Sequence, residues 1–240
     1  MITVSIPSRP NRAERIYKND GNASLLPLLG SAPLRILDVG CGAGDNARLM
    51  KSAFPGCEIH GVTHSAAEAQ MAAQWLAACW VFDIECQIPC ELLSMSFDVA
   101  VFSHVLEHLR DPGAILQRFA RLLTDGGCAV IAVPNTLFWP MRWRFLRGEF
   151  EYRSEGILDD THLRFFTFLT ADRYLLAKSP DLKLVSKTVT GSVPLWWLRR
   201  RVLPRNWSRS IDALGCRLWP NLFGDQVLMK AVAVRSGAQG

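Results

Sequence analysis

A glycine-rich turn separates an apolar run from a helix-forming segment in the stretch ILDVGCGAGDNARLM, residues 36–50. The apolar run predicts a strand that ends at Val39, and the alternating glycines, Gly40, Gly42 and Gly44, predict the turn. Glycine tolerates positive φ and carries no Cβ, so a ligand can lie directly against the backbone of such a turn. This order of strand, glycine turn and helix points to an α/β fold with a ligand site at the end of the strand.

The rest of the chain repeats the alternation of short apolar runs with helical stretches. Strand-like runs occur at residues 35–39, 58–63, 79–83, 97–102 and 127–133. The clearest helix begins at SAAEAQMAAQWLAA, where Ser65 and Glu68 have the spacing of a capping box. Such alternation predicts βαβ units, and therefore a parallel sheet with helices on both faces and a site outside the carboxyl ends of the strands.

Composition predicts a globular chain with one core, or one core and a small lobe, because 49% of the 240 residues are hydrophobic and 20% are charged. The N-terminal stretch turns polar within ten residues, and no later stretch has eighteen uninterrupted apolar positions, so we expect a cytoplasmic protein. Seven scattered cysteines without a C-x-x-C pair argue against a disulfide framework or a zinc ribbon.

Two carboxylates distinguish the glycine turn from a dinucleotide-binding loop. The dinucleotide pattern G-x-G-x-x-G requires a third glycine where this chain has Asp45, and Asp38 adds a second carboxylate just before the turn. Negative charge at this place repels a pyrophosphate, but it suits a ligand with an ammonium group and a cationic centre.

The stretch LDVGCGAG resembles motif I of the class I S-adenosylmethionine-dependent methyltransferases, whose usual form is close to LDVGCGxG. Three later segments resemble the same family in order along the chain: VFDIECQIP (81–89), FDVAVFSHVLEHLRDP (97–112) and LLTDGGCAVIAVPN (122–135). The segment DDTHLRFFT (159–167) is similar to a subgroup of bacterial small-molecule and saccharide methyltransferases. The resemblance covers roughly residues 34–190. It implies a Rossmann-like, seven-stranded, mostly parallel sheet with helices on both faces and lid insertions after strands 5 and 6.

The resemblance also implies that S-adenosylmethionine is the cofactor, with S-adenosylhomocysteine as the product. Asp83 is expected to read the adenine amino group, and Ile84 is expected to pack on the adenine ring. The other expected cofactor contacts are Asp38, Gly40, Cys41, Gly42, Gly44, Thr63, His64, Ser103 and His104.

Thr63 departs from the family pattern, in which the second strand ends in an acidic residue that takes both ribose hydroxyls. A hydroxyl donates and accepts, but it does not offer two carboxylate oxygens. Two explanations stay open: weaker cofactor binding, or a ribose contact that His64 shares.

Methyl transfer asks for a base only if the acceptor must lose a proton, because the sulfonium methyl is already activated. His104 and His108 follow the fourth predicted strand, and His162 lies after the fifth, so these three are the candidate catalytic residues. Each could instead be an ordinary hydrogen-bonded structural histidine.

The stretch HVLEH (104–108) also fits a zinc-protease signature, but a strand precedes it and RDP closes it within a few residues. Some quinone-pathway methyltransferases resemble this stretch with Glu where His104 stands. Because imidazole in place of a carboxylate disfavours magnesium, no metal is expected.

Two stretches interrupt the expected fold, at about residues 136–166 and 193–223. They belong to a methyltransferase domain expected at 34–240, which follows an N-terminal helical segment, 1–33, with a helix from Arg12 to Leu29. Six of the eight tryptophans follow position 138, interleaved with arginines. This composition fits sugar or phosphate binding or a membrane interface, and it equally fits an ordinary lid that packs on the core.

The expected partners are a small-molecule acceptor and, through the Arg/Trp-rich insertion, the inner membrane or a lipid-linked substrate. The absence of a recognition module in the sequence argues against nucleic acid, and the oligomeric state stays open. The leading functional prediction is methyl transfer to oxygen, on a hydroxyl of a saccharide, a lipid-linked intermediate or a natural-product intermediate. The alternatives are an N- or C-methyltransferase, a nucleic-acid or protein methyltransferase, and a cofactor-binding protein without transfer activity.

Overall fold

The computed structural model of the chain describes residues 20–30 and 33–234, and of Arg200 it describes only the backbone. The strands within these residues are β1 (Arg35–Val39), β2 (Glu58–Thr63), β3 (Ala78–Val81), β4 (Phe97–Ser103), β5 (Leu123–Pro134), β6 (Leu182–Gly191) and β7 (Gly224–Ala233). The helices are α1 (Asp45–Ala53), α2 (Ala66–Ala72), α3 (Cys90–Leu93), α4 (Pro112–Ala120), α5 (Trp139–Leu146), α6 (Ala171–Leu176), α7 (Trp196–Val202), α8 (Arg205–Leu218) and α9 (Pro220–Phe223).

The strands form one sheet of seven in the order β3-β2-β1-β4-β5-β7-β6. Neighbours from β3 to β5 are parallel, whereas β7 runs antiparallel to both β5 and β6. The predicted α/β fold, a Rossmann-like, mostly parallel sheet of seven strands, is therefore confirmed. β1 and β4 are neighbours where the strand order reverses, so their carboxyl ends border the crevice in which such sheets bind ligands.

The predicted bounds of the first two strands match the structure, β4 ends one residue later than predicted, at Ser103, and the bounds of β3 and β5 differ. β3 ends at Val81, so Phe82 and Asp83, which were expected in the strand, lie in the loop that follows it. β5 begins at Leu123, because pairing with β4 starts there and continues past a register shift to Cys128. The early end of β3 leaves Asp83 in a loop, where a side chain can turn toward a ligand.

Apolar side chains pack on both faces of the sheet, so its central strands are apolar on both faces instead of alternating with polar residues. In β1, Leu37 and Val39 belong to the larger hydrophobic cluster, whereas Ile36 belongs to the smaller cluster. Side chains alternate along a strand, so the two clusters lie on opposite faces of β1. Asp38 shares the face of Ile36, and it is fully buried.

The helix predicted from Arg12 to Leu29 lies partly outside the described residues. Within them the chain forms a 3-10 helix at Ala23–Leu28, with Asn22 as its cap. Pro27 lies inside this short helix and has no N–H to donate. The division into residues 1–33 and 34–240 stays a prediction.

Both stretches predicted as insertions contain helices. α5 follows β5, and α7, α8 and α9 follow β6. Helix α8 packs against β6, and its buried residues are small: Ser208, Gly215 and Cys216. Gly215 allows a close approach, because a Cβ there would lie 2.2 Å from a methyl carbon of Val193. Among the described helices, none is long and apolar enough to cross a membrane.

Candidate functional site

A cavity of about 750 Å³ lies at the carboxyl ends of the strands from β1 to β5. Its walls come from the turn after β1, the end of β2, the loops after β3 and β4, part of the segment after β5 and the start of β7. The predicted site residues that line it are Gly40, Cys41, Gly42, Thr63, His64, Asp83, Ile84, Ser103, His104, His108 and His162. Asp38 and Gly44 are not among the lining residues. The size is ordinary for a small-molecule site, and the roles of these residues stay predictions.

Backbone hydrogen bonds hold the glycine turn against β2. The N–H groups of the first two turn residues both donate to the carbonyl of Val62, at 2.8 and 2.9 Å. Gly42 has a φ of 51° and lines the cavity. Gly44 has a φ of 89°, and a Cβ there would lie 2.9 Å from the Cα of Ala72. Gly44 therefore allows the turn to pack on α2, whereas Gly42 leaves space at the cavity wall.

Asp38 is the most unusual carboxyl group near the turn. It is fully buried, and neither of its carboxylate oxygens has a hydrogen-bond partner within the described part of the chain. Burial raises the pKa of Asp38 from 3.8 to about 7. An unpartnered buried carboxylate is costly unless a cation compensates it, which fits the predicted role of Asp38 toward an ammonium group.

The loop after β3 carries the two residues expected to meet the adenine. Asp83 is exposed, and its Oδ1 accepts the N–H of Glu85 at 2.9 Å. Ile84 is half-buried and packs against the larger hydrophobic cluster. Arg118 of α4 fixes the loop by donating to the carbonyls of Ile84 and Cys86. A carboxylate and an apolar side chain thus follow one another in the loop at the cavity wall, and their contact with adenine stays a prediction.

Thr63 and Glu68 form a buried pair at the end of β2. The hydroxyl of Thr63 donates to Oε2 of Glu68 at 2.6 Å, and the two residues are only 3% and 2% exposed. Ser65 caps α2 by accepting the N–H of Glu68 at 3.4 Å, while its own N–H donates to the Thr63 hydroxyl at 3.3 Å. Both Thr63 and Glu68 line the cavity, and the exposed His64 lines it between them in sequence. The carboxylate of Glu68 therefore lies beside the end of β2, where the family pattern has an acidic residue and this chain has Thr63.

His104 follows β4 in a left-handed backbone conformation, with a φ of 56°, which residues other than glycine rarely adopt. Its Nδ1 lies 3.3 Å from Oε1 of Glu107, and its Nε2 lies 3.0 Å from Oε1 of Gln226. Burial lowers the pKa of His104, but the hydrogen bond to Glu107 and its charge outweigh burial, so the pKa is raised. Burial raises the pKa of Glu107, but the hydrogen bond to His104 and its charge leave it lowered. This pair favours a protonated His104, which suits a hydrogen-bond donor better than a general base.

His108 and His162 pack edge to face, with 4.8 Å between their ring centroids. Nδ1 of His162 lies 3.0 Å from the carbonyl oxygen of Ile157. Nδ1 of His108 lies 2.9 Å from Oγ1 of Thr161, whose hydroxyl donates to Asp159 at 2.6 Å. A carbonyl only accepts, and the hydroxyl proton of Thr161 is directed to Asp159, so both Nδ1 atoms donate. In each neutral ring the lone pair is then on Nε2.

Glu107 lies beside these two histidines. One oxygen of Glu107 and one nitrogen of each ring lie within 4.8 Å of one another. Such a group can relay a proton, and it also has the donor types of a divalent-metal site. The expectation of no metal therefore stays a prediction that this cluster makes worth testing.

Sequence reasoning did not identify Glu68, Glu107 and Gln226 as site residues, although each lines the cavity. The spacing of Glu68 from Ser65 indicated only a helix cap. Glu107 lies inside the quoted stretch HVLEH, but no pattern assigned it a role. Gln226 meets His104 only because β7 inserts between β5 and β6.

A family model described as a methyltransferase domain matches residues 12–175 of the chain. The chain belongs to this methyltransferase family. The predicted resemblance to the class I S-adenosylmethionine-dependent methyltransferases is thereby confirmed.

Two curated relatives of this methyltransferase carry different names. A ubiquinone biosynthesis O-methyltransferase from Alkalilimnicola ehrlichii is 36% identical over 158 residues, which cover 63% of this chain and 62% of the relative. A trans-aconitate 2-methyltransferase from Methylobacterium nodulans is 30% identical over 115 residues, which cover 46% of this chain and 42% of the relative. The chain thus matches less than two thirds of the length of either relative.

Solved structures agree on the fold of this methyltransferase. A SAM dependent methyltransferase from Archaeoglobus fulgidus superposes with a TM-score of 0.55 at 20% identity, over 87% of this chain and 90% of that one. At that identity the similarity speaks for the shared fold alone.

Proposed function

We propose that this methyltransferase transfers the methyl group of S-adenosylmethionine to an oxygen of a small-molecule acceptor. The acceptor oxygen is a hydroxyl of a saccharide, of a lipid-linked intermediate or of a natural-product intermediate. The cavity carries the proposal, because Gly42, Asp83, Ile84, His108 and His162 all line it. The ubiquinone biosynthesis O-methyltransferase among the relatives supports oxygen as the acceptor atom.

Two features of the chain fit the cofactor. The position of Gly42 at the cavity wall leaves room that a larger side chain would fill. The buried carboxyl group of Asp38 has no hydrogen-bond partner within the described residues, so a cationic ligand nearby would compensate its charge. When bound, the cofactor supplies an activated methyl group, so the protein mainly positions the acceptor and removes its proton.

His162 and His108 are placed to take that proton. Their Nδ1 atoms donate to Ile157 and Thr161, which fixes the rings and directs basicity to Nε2. His104 is less suited to act as the base, because the hydrogen bond to Glu107 and its charge outweigh burial and raise its pKa, and its two ring nitrogens lie against Glu107 and Gln226.

Calorimetric titration with S-adenosylmethionine and S-adenosylhomocysteine tests the proposal first. Incubation with S-adenosylmethionine and a panel of hydroxyl, amine and carbon acceptors then identifies the reaction by mass spectrometry of the product. Transfer only to nitrogen or carbon, or to nucleic acid or protein, would contradict the proposed oxygen acceptor. Binding without any transfer would favour a cofactor-binding protein.

We expect His162→Ala to lower kcat by about 100-fold, because a positioned general base contributes roughly that factor or more. S-adenosylhomocysteine affinity should stay unchanged, since the histidine acts on the acceptor. Steady-state kinetics with the best acceptor from the panel checks this. The neighbouring Leu163→Ala, at a residue 46% exposed, is the matched control and should keep the wild-type rate. Equal rates for the two variants, or a rate that depends on added divalent metal after chelation, would contradict a metal-free histidine base.

We further propose that the protein docks on a membrane through helix α8, which exposes apolar side chains. Trp207, Ile211, Leu214 and Leu218 recur at spacings of four, three and four residues, so they form one stripe along the helix. These residues are 67%, 37%, 56% and 55% exposed. Exposed apolar residues on α7 are Trp196, Trp197, Leu198 and Val202. An amphipathic helix normally buries its apolar face, so this outward stripe marks an interaction surface.

The same segment carries the whole excess of positive charge. Residues 195–219 contain six arginines and one aspartate, a net charge of +5, which equals the net charge of the entire chain. Asp212 is paired with Arg199, so the other five arginines have no acidic residue within this segment. Tryptophan, leucine and arginine together suit the headgroup region of an anionic bilayer. A second copy fits less well, because a two-fold contact would bring two segments of like charge together.

The α7–α8 surface therefore docks this methyltransferase on an anionic membrane. Helix α9 connects α8 directly to Asp225 and Gln226, which line the cavity. This connection supports an acceptor presented by a lipid, because docking through α7 and α8 would occur close to the site along the chain. None of the described residues of 193–223 lines the cavity itself, so the segment acts through docking and not through direct acceptor contact.

We expect Trp207→Ser combined with Leu214→Ser to reduce vesicle binding about tenfold or more, because each side chain contributes a few kcal/mol when buried. Flotation with vesicles of phosphatidylcholine alone and with added phosphatidylglycerol measures it. Arg205→Ala with Arg209→Ala should remove only the preference for the anionic vesicles. Leu169→Ser, at an exposed residue outside the segment, is the control. Failure of the wild-type protein to float with anionic vesicles, or a stable dimer that the Trp207 variant disrupts, would overturn the proposal.

A further inference from the structure

We propose that Glu68, on helix α2, takes the ribose hydroxyls of S-adenosylmethionine in place of the strand-end acid that is missing at Thr63. The inference rests on the proposed function, since it assumes that the cavity binds this cofactor. It concerns a different residue from the one that the family pattern marks and from His64, the substitute that the sequence suggested.

The position of Glu68 supports this role. The end of β2 lies beside the glycine turn, because both N–H groups at the start of the turn donate to Val62. Thr63 follows Val62, and the carboxylate of Glu68 reaches back to the hydroxyl of Thr63 at 2.6 Å. Glu68 and Thr63 line the same cavity as Gly42 and Asp83. The carboxylate of Glu68 thus lies in contact with the residue that stands in the place of the strand-end acid.

The hydrogen bonds at the start of α2 argue against a purely structural cap. In a capping box the side chain at this helix position returns to the N–H of the cap residue. Here the N–H of Ser65 donates instead to the hydroxyl of Thr63, at 3.3 Å. The carboxylate of Glu68 accepts the hydroxyl proton of Thr63, and Glu68 lines the cavity.

Thr63 acts as the positioning residue. Its hydroxyl donates its single proton to Oε2 of Glu68, which restricts the rotation of the carboxylate. A carboxylate that is 2% exposed and held by such a bond is preorganised to accept hydrogen bonds from a ligand. Two vicinal hydroxyls match a carboxylate because each can donate one charge-assisted bond.

A cycle of one substitution and one ligand change tests the role of Glu68. Calorimetry measures the Kd of S-adenosylhomocysteine and of its 2′-deoxy analogue for the wild type and for Glu68→Gln. We expect Glu68→Gln to weaken S-adenosylhomocysteine about 10- to 100-fold, and the analogue much less. A merely structural role for Glu68 would weaken both ligands by the same factor.

Substitutions at Thr63 test the geometry independently. Thr63→Asp brings a second carboxylate against Glu68, so we expect it to weaken binding, and Thr63→Asp with Glu68→Ala to restore it. Glu91→Gln removes an exposed carboxylate outside the cavity and should change neither Kd. His64→Ala should leave the ligand cycle at Glu68 intact.

The outcomes separate this inference from the proposed function. If the wild-type protein binds neither S-adenosylhomocysteine nor S-adenosylmethionine, the proposed function fails. If the wild type binds, but the loss of the 2′-hydroxyl and the loss of the Glu68 charge are additive, the function stands and Glu68 is not the ribose ligand. If the effect of removing the 2′-hydroxyl depends on His64→Ala and not on Glu68→Gln, the ribose ligand is His64 and the assignment to Glu68 is wrong.

Discussion

Replacing Gly42 by leucine is expected to abolish S-adenosylmethionine binding, with an affinity loss of at least about 100-fold. Gly42 lines the cavity at the turn after β1, where a leucine side chain would occupy the volume of the ligand. Its φ of 51° is left-handed, so a leucine also strains the backbone by about 1–2 kcal/mol. Strain of this size leaves a folded protein in most domains, so the loss of binding is measurable by calorimetry.

Gly126→Leu is the matched control for backbone strain. Gly126 has a φ of 75°, and nothing lies within 4 Å of a Cβ added there, so the strain is present without the occlusion. Both variants should lose a similar, small amount of thermal stability, but only Gly42→Leu should lose cofactor binding. A folded Gly42→Leu protein with the wild-type Kd would place the cofactor outside this cavity.

The parts of the fold that depend on local pattern were predictable from the sequence. Residues 35–39 and 58–63 are apolar runs flanked by turn-forming residues, and they coincide with β1 and β2. The position of β7 was not predictable from the residues themselves, because hydrophobic periodicity identifies a strand but not its neighbours. That β7 lies between β5 and β6 is a matter of long-range pairing.

The same division applies to the site. The glycine turn was predicted from its own residues, Asp83 from the family resemblance and His162 from its position after the fifth strand, and Gly42, Asp83 and His162 line one cavity. Glu68 was not, because its carboxylate reaches Thr63 only after α2 packs against β2. The exposure of Trp207 and Leu214 was also not predictable from the sequence, since an apolar stripe along a helix normally indicates the buried face. Here the buried face of α8 consists of small residues, which periodicity does not emphasise.

Asp38→Asn should have opposite effects on stability and on cofactor binding. Burial raises the pKa of Asp38 from 3.8 to about 7, and no protein group within the described residues compensates the charge. Because the folded pKa lies above the unfolded one, the stability of the wild type falls as pH rises between these values and stays level above about 7. At pH 8 the ionised Asp38 costs the folded protein about 4 kcal/mol.

Asparagine has nearly the same shape as aspartic acid but carries no charge, so Asp38→Asn should raise the midpoint of thermal unfolding at pH 8. The gain should diminish toward pH 4, where Asp38 is protonated in the wild type. Asp98→Asn is the contrasting control, because the carboxylate of Asp98 accepts the N–H groups of Leu34 and Arg35 at 2.8 and 2.9 Å. Loss of a partnered carboxylate should destabilise the protein instead.

The pH dependence of cofactor affinity tests whether the ionised carboxylate of Asp38, which destabilises the folded protein, contributes to cofactor binding. A cationic ligand near Asp38 favours the carboxylate, so binding lowers the pKa of Asp38 and requires its proton to leave. Wild-type affinity for S-adenosylmethionine should therefore be about tenfold weaker at pH 6 than at pH 8, as the apo carboxyl group becomes protonated. Asp38→Asn should bind weakly at both pH values and lose this dependence. If calorimetry instead shows the same pH profile in both proteins, Asp38 does not sense the cofactor's charge, and its burial has to be explained by packing at the end of β1.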